Sequence, residues 1–286
     1  MGAKAFCPGH ITGFFQICEG RTILSTGSRG AGMCLTLGAT SSVRIANGSR
    51  QSIDVSIDGK KSSAEVTKVA VKRLIGRDRL KVMVDTKLDL PQSQGFGMSA
   101  AGALSTSMAL ADVLGASRRE AFEAAHAAEV LCKTGLGDIS AIHRGGITVR
   151  TRAGLPPIGK VIRIRGAPEV VLAVIGRKLL TKSVLSDPRK RGAINRNGSR
   201  MVDELIEEPS LRKLMELSAS FAVESGLASR NIIEVMMAAS KMGMAGMSML
   251  GNSVFAIGDT AGLQRLMSRY GDTWACMVDT TGPRLV

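Results

Sequence analysis

Aromatic residues are scarce in this 286-residue chain: seven Phe, one Tyr and one Trp. That scarcity argues against a stacking platform for single-stranded nucleic acid. Histidine is scarcer still, and His10, His126 and His143 fall at no zinc-finger spacing. The five cysteines, Cys7, Cys18, Cys34, Cys132 and Cys276, are odd in number, scattered and without a CxxC pair. These absences exclude a structural zinc cluster and a disulfide framework, and they point to a reduced, cytoplasmic protein with no signal peptide. Long hydrophobic runs are missing as well. The longest charge-free stretches, 90–111 and 242–258, are rich in Gly, Ser and Ala, too polar for a membrane span.

The chain has 33 glycines, 44% hydrophobic residues and a net charge of +14. The composition is that of a globular chain with many tight turns, and its length suits two modest domains. The positive charge attracts phosphate of any origin, whether nucleic acid or an anionic metabolite. The densest basic cluster, Arg189-Lys190-Arg191 with Arg196 and Arg200, continues into an amphipathic helix, so a solvated helix face explains it and nucleic acid is the minority reading.

Along the chain, the first 60 residues read as short apolar runs cut by glycine turns. Ile53, Val55 and Ile57 alternate with polar residues as a half-buried strand, and Val66, Val69, Ala70 and Leu74 recur at helical spacing. Val82-Met83-Val84 reads as the next strand. Pro91 and the loop Gln92-Ser93-Gln94 lead to Gly95, and Met98 to Leu114 reads as an uncharged helix stopped by Gly115. Ser117 and Glu120 form a capping box for a helix ending near Lys133, followed by the turn Thr134 to Asp138 and a strand Ile147 to Arg150. Gly154, Pro156 and Pro157 read as a linker, which divides the chain into 1–155 and 156–286. Strands at Val161–Ile164 and Val170–Ile175, helices near 199–207, 210–224 and 230–241, strand Ser253–Ile257, a helix and a strand around Trp274 make the second part α+β.

The loop Gly95-Phe96-Gly97-Met98-Ser99-Ala100 has what a phosphate cradle needs: glycines that admit the ligand to the backbone, and amides at a helix start that face the anion. It is not a Walker A sequence, and Pro91 with three polar residues separates it from the strand that a dinucleotide fingerprint requires. Close helix packing is the plain alternative. Glu129 and Asp138, nine residues apart near that loop, could divide metal binding and proton acceptance between them, a division that suits phosphoryl transfer. A solvated helix carboxylate and a turn cap are the structural alternatives. Ser99 and Glu129 would suffice as protein ligands for Mg2+. His126, three residues before Glu129, shares its helix face; a core histidine is the competing reading. Arg150 could clamp a carboxylate through its planar fork, and Ser28 with Arg29 could make a second anion contact in a glycine-rich turn. The Met-rich run 241–253 reads as core packing.

These segments together resemble the GHMP small-molecule kinases, more narrowly their archaeal pantoate kinase branch. The likeness is carried by Ala3 to Phe15, Gly27 to Gly32, Pro91 to Ala101, Ala125 to Glu129, Thr134 to Asp138 and Ser248 to Gly251. It implies a two-domain α+β fold, with a ribosomal-protein-like N-terminal domain and a ferredoxin-like C-terminal domain holding ATP and Mg2+ between them. It also implies phosphorylation of the 4-hydroxyl of pantoate on the archaeal route to coenzyme A; mevalonate and homoserine are the alternative substrates, and a basic RNA-binding protein is the alternative of another class. Ser99 matches the second serine of the family's loop, Glu129 the metal ligand and Asp138 the catalytic aspartate. Ser28, Arg29, His126, Arg150 and His10 are counted as substrate or phosphate contacts. Phe96 and Met98 depart from the family loop, and His10 stands where mevalonate kinases place a lysine. No membrane partner is expected, and a homodimer stays open.

Overall fold

The computed structural model describes residues 1–179 and 184–286. Its larger sheet has eight strands: β1 (Gly2–Cys18), β2 (Gly27–Asn47), β3 (Ser52–Ile57), β4 (Lys60–Lys61), β5 (Leu80–Leu88), β6 (Ile147–Arg152), β7 (Lys160–Ile164) and β12 (Arg284–Leu285). The main path runs β12-β1-β2-β5-β3-β4, with β6 and β7 continuing from β2. Among the described residues only β3 and β5 pair in parallel, because helix α1 (Glu65–Ile75) makes the crossover between them. The smaller sheet has the order β11-β8-β10-β9, from β8 (Glu169–Val174), β9 (Gly243–Met247), β10 (Ser253–Gly258) and β11 (Thr273–Met277). The described residues also form α2 (Met98–Leu114), α3 (Arg118–Cys132), α4 (Asp138–Ile142), α5 (Pro188–Glu207), α6 (Leu211–Glu224), α7 (Arg230–Ala239) and α8 (Thr260–Met267).

The expectation of short, glycine-punctuated runs in the first 60 residues is overturned by β1 and β2, which are 17 and 21 residues long. Their glycines lie inside the strands. A Cβ at Gly9 would sit 2.7 Å from the Leu37 carbonyl oxygen and 2.8 Å from Met98 of α2, and one at Gly13 would collide with Ser218 of α6. Register shifts fall at the same places, between Pro8 and Gly9 and between Thr12 and Phe14. These are bulges that let helices approach the sheet closely, the role glycine takes within strands. The Gly154-Pro156-Pro157 stretch is likewise different from the linker that was expected. It joins β6 to β7, antiparallel neighbours in the larger sheet, so β8 is the first strand of the smaller one.

Helix α2 is the central element. From Met98 to Ala111 every residue except Ser99 is buried, which explains why it carries no charge until Asp112. It packs on β1 and β2 and against α1 and α3. The second part of the chain docks through aromatic contacts: Phe221 of α6 lies 6.4 Å from Phe14 and 5.9 Å from Phe15 between ring centroids. Phe96, just before α2, meets Trp274 of β11 edge-on at 6.3 Å. Such tilted pairs add to the area they bury and orient one layer on the other.

Candidate active site

The glycine-rich loop owes its shape to backbone angles that other residues avoid. Gly95 and Gly97 have φ of 81° and 66°, and Gly97 caps α2 with no side chain bonded to the first amides. The carbonyls of the loop are tied back on both sides: Phe96 O accepts from the His10 amide at 3.0 Å, Gly95 O from the Ser248 hydroxyl at 2.6 Å and Gln94 O from the Ser253 hydroxyl at 2.5 Å. The amides of the first turn have no intrahelical acceptor and are left for an anion, where the helix dipole also favours negative charge.

Beside this loop lies a cavity of about 430 Å³. Its wall contains Gly95 to Ala100 from the loop, Ser28 from β2, Glu129 from α3, Gly135 to Asp138 from the following turn, and Arg150 from β6. Residues remote in sequence meet here because β2 pairs with β6, with Gly30 opposite Arg150, while α4 packs on β1, β2 and β6 and α3 packs against α4. The turn between those helices needs its glycines. A Cβ at Gly135 would come 2.5 Å from Glu129 Oε1, and one at Gly137 would lie 2.8 Å from Arg150 Nε.

The charged groups are deeply placed. Glu129 is buried; desolvation raises its pKa well above the usual carboxylate range, the Asp138 charge pushes the same way, and the Ile139 amide offsets part of the rise. Arg150 is buried too, with Nε and Nη1 lacking hydrogen-bond partners among the described residues. Burial lowers its pKa and the Asp138 carboxylate opposes that, yet a guanidinium remains a cation at any physiological pH. Asp138 heads α4, its side chain 27% exposed and Oδ1 2.8 Å from His10 Nδ1.

Three expected contacts fall outside the cavity. His126 is buried, with Nε2 3.2 Å from Ile23 O and 3.1 Å from Thr26 O, so it fastens the turn before β2 as a core histidine does. Arg29 faces the opposite side of its strand: its guanidinium donates to Thr151 O at 3.0 Å, to Gln16 at 3.2 Å and to Asp203 of α5 at 2.5 Å. His10 has no exposed surface; it stands behind Asp138 instead of touching the cavity. Conversely, Thr12, Gln92, Ser93, Thr134, Met249 and Leu250 line the wall without having been singled out. Thr12, Thr134, Met249 and Leu250 lie in the segments Ala3 to Phe15, Thr134 to Asp138 and Ser248 to Gly251 that carry the family likeness, which is a signal for them, although docking of the loop after β9 is what lays Met249 and Leu250 on the wall.

For a divalent cation the fit rests on donor chemistry. Ser99 and Glu129 line one cavity, both offer hard oxygen donors, and Glu129 has no cationic partner among the described residues to neutralise it. A buried carboxylate in that state suits a magnesium ion whose other ligands are water and phosphate oxygens.

An anion cradle, a carboxylate suited to a cation and a second carboxylate aimed at the same cavity are the parts of a phosphoryl-transfer site, and the fold carrying them is that of a small-molecule kinase. Comparison with known proteins supports this. Residues 64–146 match the model of the GHMP kinases N terminal domain. The pantoate kinase of Thermococcus kodakarensis is 35% identical over 264 residues, 90% of this chain and 88% of that protein. The pantoate kinase of Methanocaldococcus jannaschii is 32% identical over 276 residues, 96% and 99% of the two chains. A solved structure described as a phosphotransferase related to the CoA biosynthesis pathway superimposes with a TM-score of 0.90 at 32% identity, covering 100% of this chain and 99% of that one. A mevalonate kinase structure at 14% identity and a TM-score of 0.68 shares the fold. The chain belongs to the GHMP kinase family, in the pantoate kinase branch.

Proposed function

We propose that this protein transfers the γ-phosphoryl group of ATP to the 4-hydroxyl of pantoate, forming 4-phosphopantoate and ADP for coenzyme A synthesis. The observation that carries the reading is that Asp138 and Arg150 both stand on the wall of the cavity next to the phosphate loop. A hydroxy acid brings a hydroxyl for the one and a carboxylate for the other. Its carboxylate would complete the donors of Arg150 that lack partners, and Ser28 stands beside them.

In this mechanism the first-turn amides of α2 hold the phosphate chain, and Ser99 and Glu129 are the residues that would hold Mg2+, which would supply neutralisation of charge on the transferred group. Asp138 accepts the proton of the substrate hydroxyl as that oxygen attacks the γ-phosphorus. The new O–P bond forms while the bond from the γ-phosphorus to the bridging oxygen breaks, and the electron pair leaves on ADP. Arg150 fixes the acceptor so that its hydroxyl meets Asp138, which is where positioning contributes to rate.

The test is ADP release across small hydroxy acids with ATP and Mg2+. Pantoate-dependent turnover with weak activity on mevalonate and homoserine is the expected result. ATP binding without any pantoate-dependent turnover would overturn the assignment.

A further inference from the structure

His10 is fully buried and does not line the cavity, yet it makes a close polar contact with Asp138, which does. Its Nδ1 lies 2.8 Å from Asp138 Oδ1 and 3.4 Å from the Thr12 hydroxyl, while Nε2 has no partner among the described residues. The ring packs on Gly32, where a Cβ would come 2.8 Å from Nε2. A carboxylate only accepts hydrogen bonds, so the proton between the two groups belongs to Nδ1. A second proton on Nε2 would be a buried donor with nothing among the described residues to receive it; burial pushes the imidazole's pKa down, and although the Asp138 carboxylate opposes that, the Arg150 charge adds to it. Among the described residues no group stands at Nε2 to continue a proton path through the ring.

We propose that neutral His10, protonated on Nδ1, is the positioning residue of Asp138: it holds Oδ1 and turns Oδ2 toward the hydroxyl of the substrate. This rests on the reading of Asp138 as proton acceptor. The ring acts as a fixed neutral donor, neither a relay nor a substrate contact, and Arg150 is the cation that faces the carboxylate. The two oxygens of Asp138 are thereby made unequal. One is spent on orientation, so the other meets the acceptor in one geometry.

The test separates the two ring nitrogens. The side-chain amide of Asn places a donor close to where His Nδ1 stands, whereas that of Gln reaches the Nε2 position. His10→Asn should recover most of the wild-type kcat, while His10→Gln and His10→Leu should each lose about a hundredfold with KM for ATP and pantoate within about threefold. Thermal midpoints are measured alongside, and if the Leu variant does not fold the Asn and Gln pair carries the comparison. Equal losses in all variants, a Gln variant as active as the Asn variant, or a raised pantoate KM at unchanged kcat would each overturn the proposal. The ring is also read without substrate, by nitrogen NMR of protein labelled at histidine. An exchange-protected proton on Nδ1 of His10 that is lost in Asp138→Ala is expected, and a proton on Nε2 alone would overturn the proposal. Because that signal needs no turnover, a failure of the pantoate assignment shows itself separately, in the wild-type assay.

Discussion

Glu129 shows most directly how the site trades stability for chemistry. Its folded pKa is raised above the unfolded value, so its contribution to stability is complete below about pH 4.5 and is lost as pH rises through the folded value. Glu129→Gln removes that buried charge and keeps an acceptor for the Ile139 amide. The metal-free variant should therefore melt a few degrees above wild type at pH 7, with the gap closing toward pH 4, while turnover collapses; melting curves across pH check the sign. At Asp138 and Ser99 the expected losses are catalytic. Asp138→Asn should lower kcat by a factor on the order of 10² to 10⁴ and Ser99→Ala by about 10² or more, both with unchanged melting points, and near-normal rates in either would show the site to be misplaced. That these three residues line one cavity could be anticipated from the chain because each sits in a short motif. The positions of His126 and Arg29 could not, since helix spacing and a glycine-rich turn do not say which side of the element meets the cavity.

The phosphate loop is a composite element. Its amides come from α2, but its carbonyls are held by β1 on one side and by Ser248 and Ser253 on the other. Gly95 stands where the two halves touch: a Cβ there would lie 2.6 Å from Ser248 O, and φ is 81°. Gly95→Ala should raise KM for ATP about tenfold by displacing the loop, at a stability cost of about 1–2 kcal/mol, read by nucleotide titration and denaturant unfolding. The helical stretch Met98–Leu114 and the capping box at Ser117 and Glu120 were legible because local signals set them. Strands β1 and β2 were not. Glycine within a strand looks like a turn until the helix that needs the space is known.

At the scale of the whole molecule, the charge of +14 spread over a small kinase gives anionic substrates a favourable field. Raising salt from about 50 to 500 mM should lower kcat/KM for ATP several-fold through screening, with kcat nearly constant; a salt-independent kcat/KM would assign the charge no part in capture. No described helix is long and apolar enough to cross a membrane, in line with the polar character of the charge-free stretches. The sequence by itself determined the class of chemistry: a glycine-rich helix start, a glutamate and an aspartate in motif context, and an uncharged helix to bury, all set by short-range rules of backbone conformation and burial. The tertiary structure alone decided which residues share the cavity. The pairing of β2 with β6 brings Ser28 to Arg150, the fold of β1 against α4 puts His10 behind Asp138, and the docking of the smaller sheet lays Met249 and Leu250 on the wall. Those neighbours are 100 residues or more apart in the chain, and such contacts follow from strand register and layer packing, which no local pattern encodes.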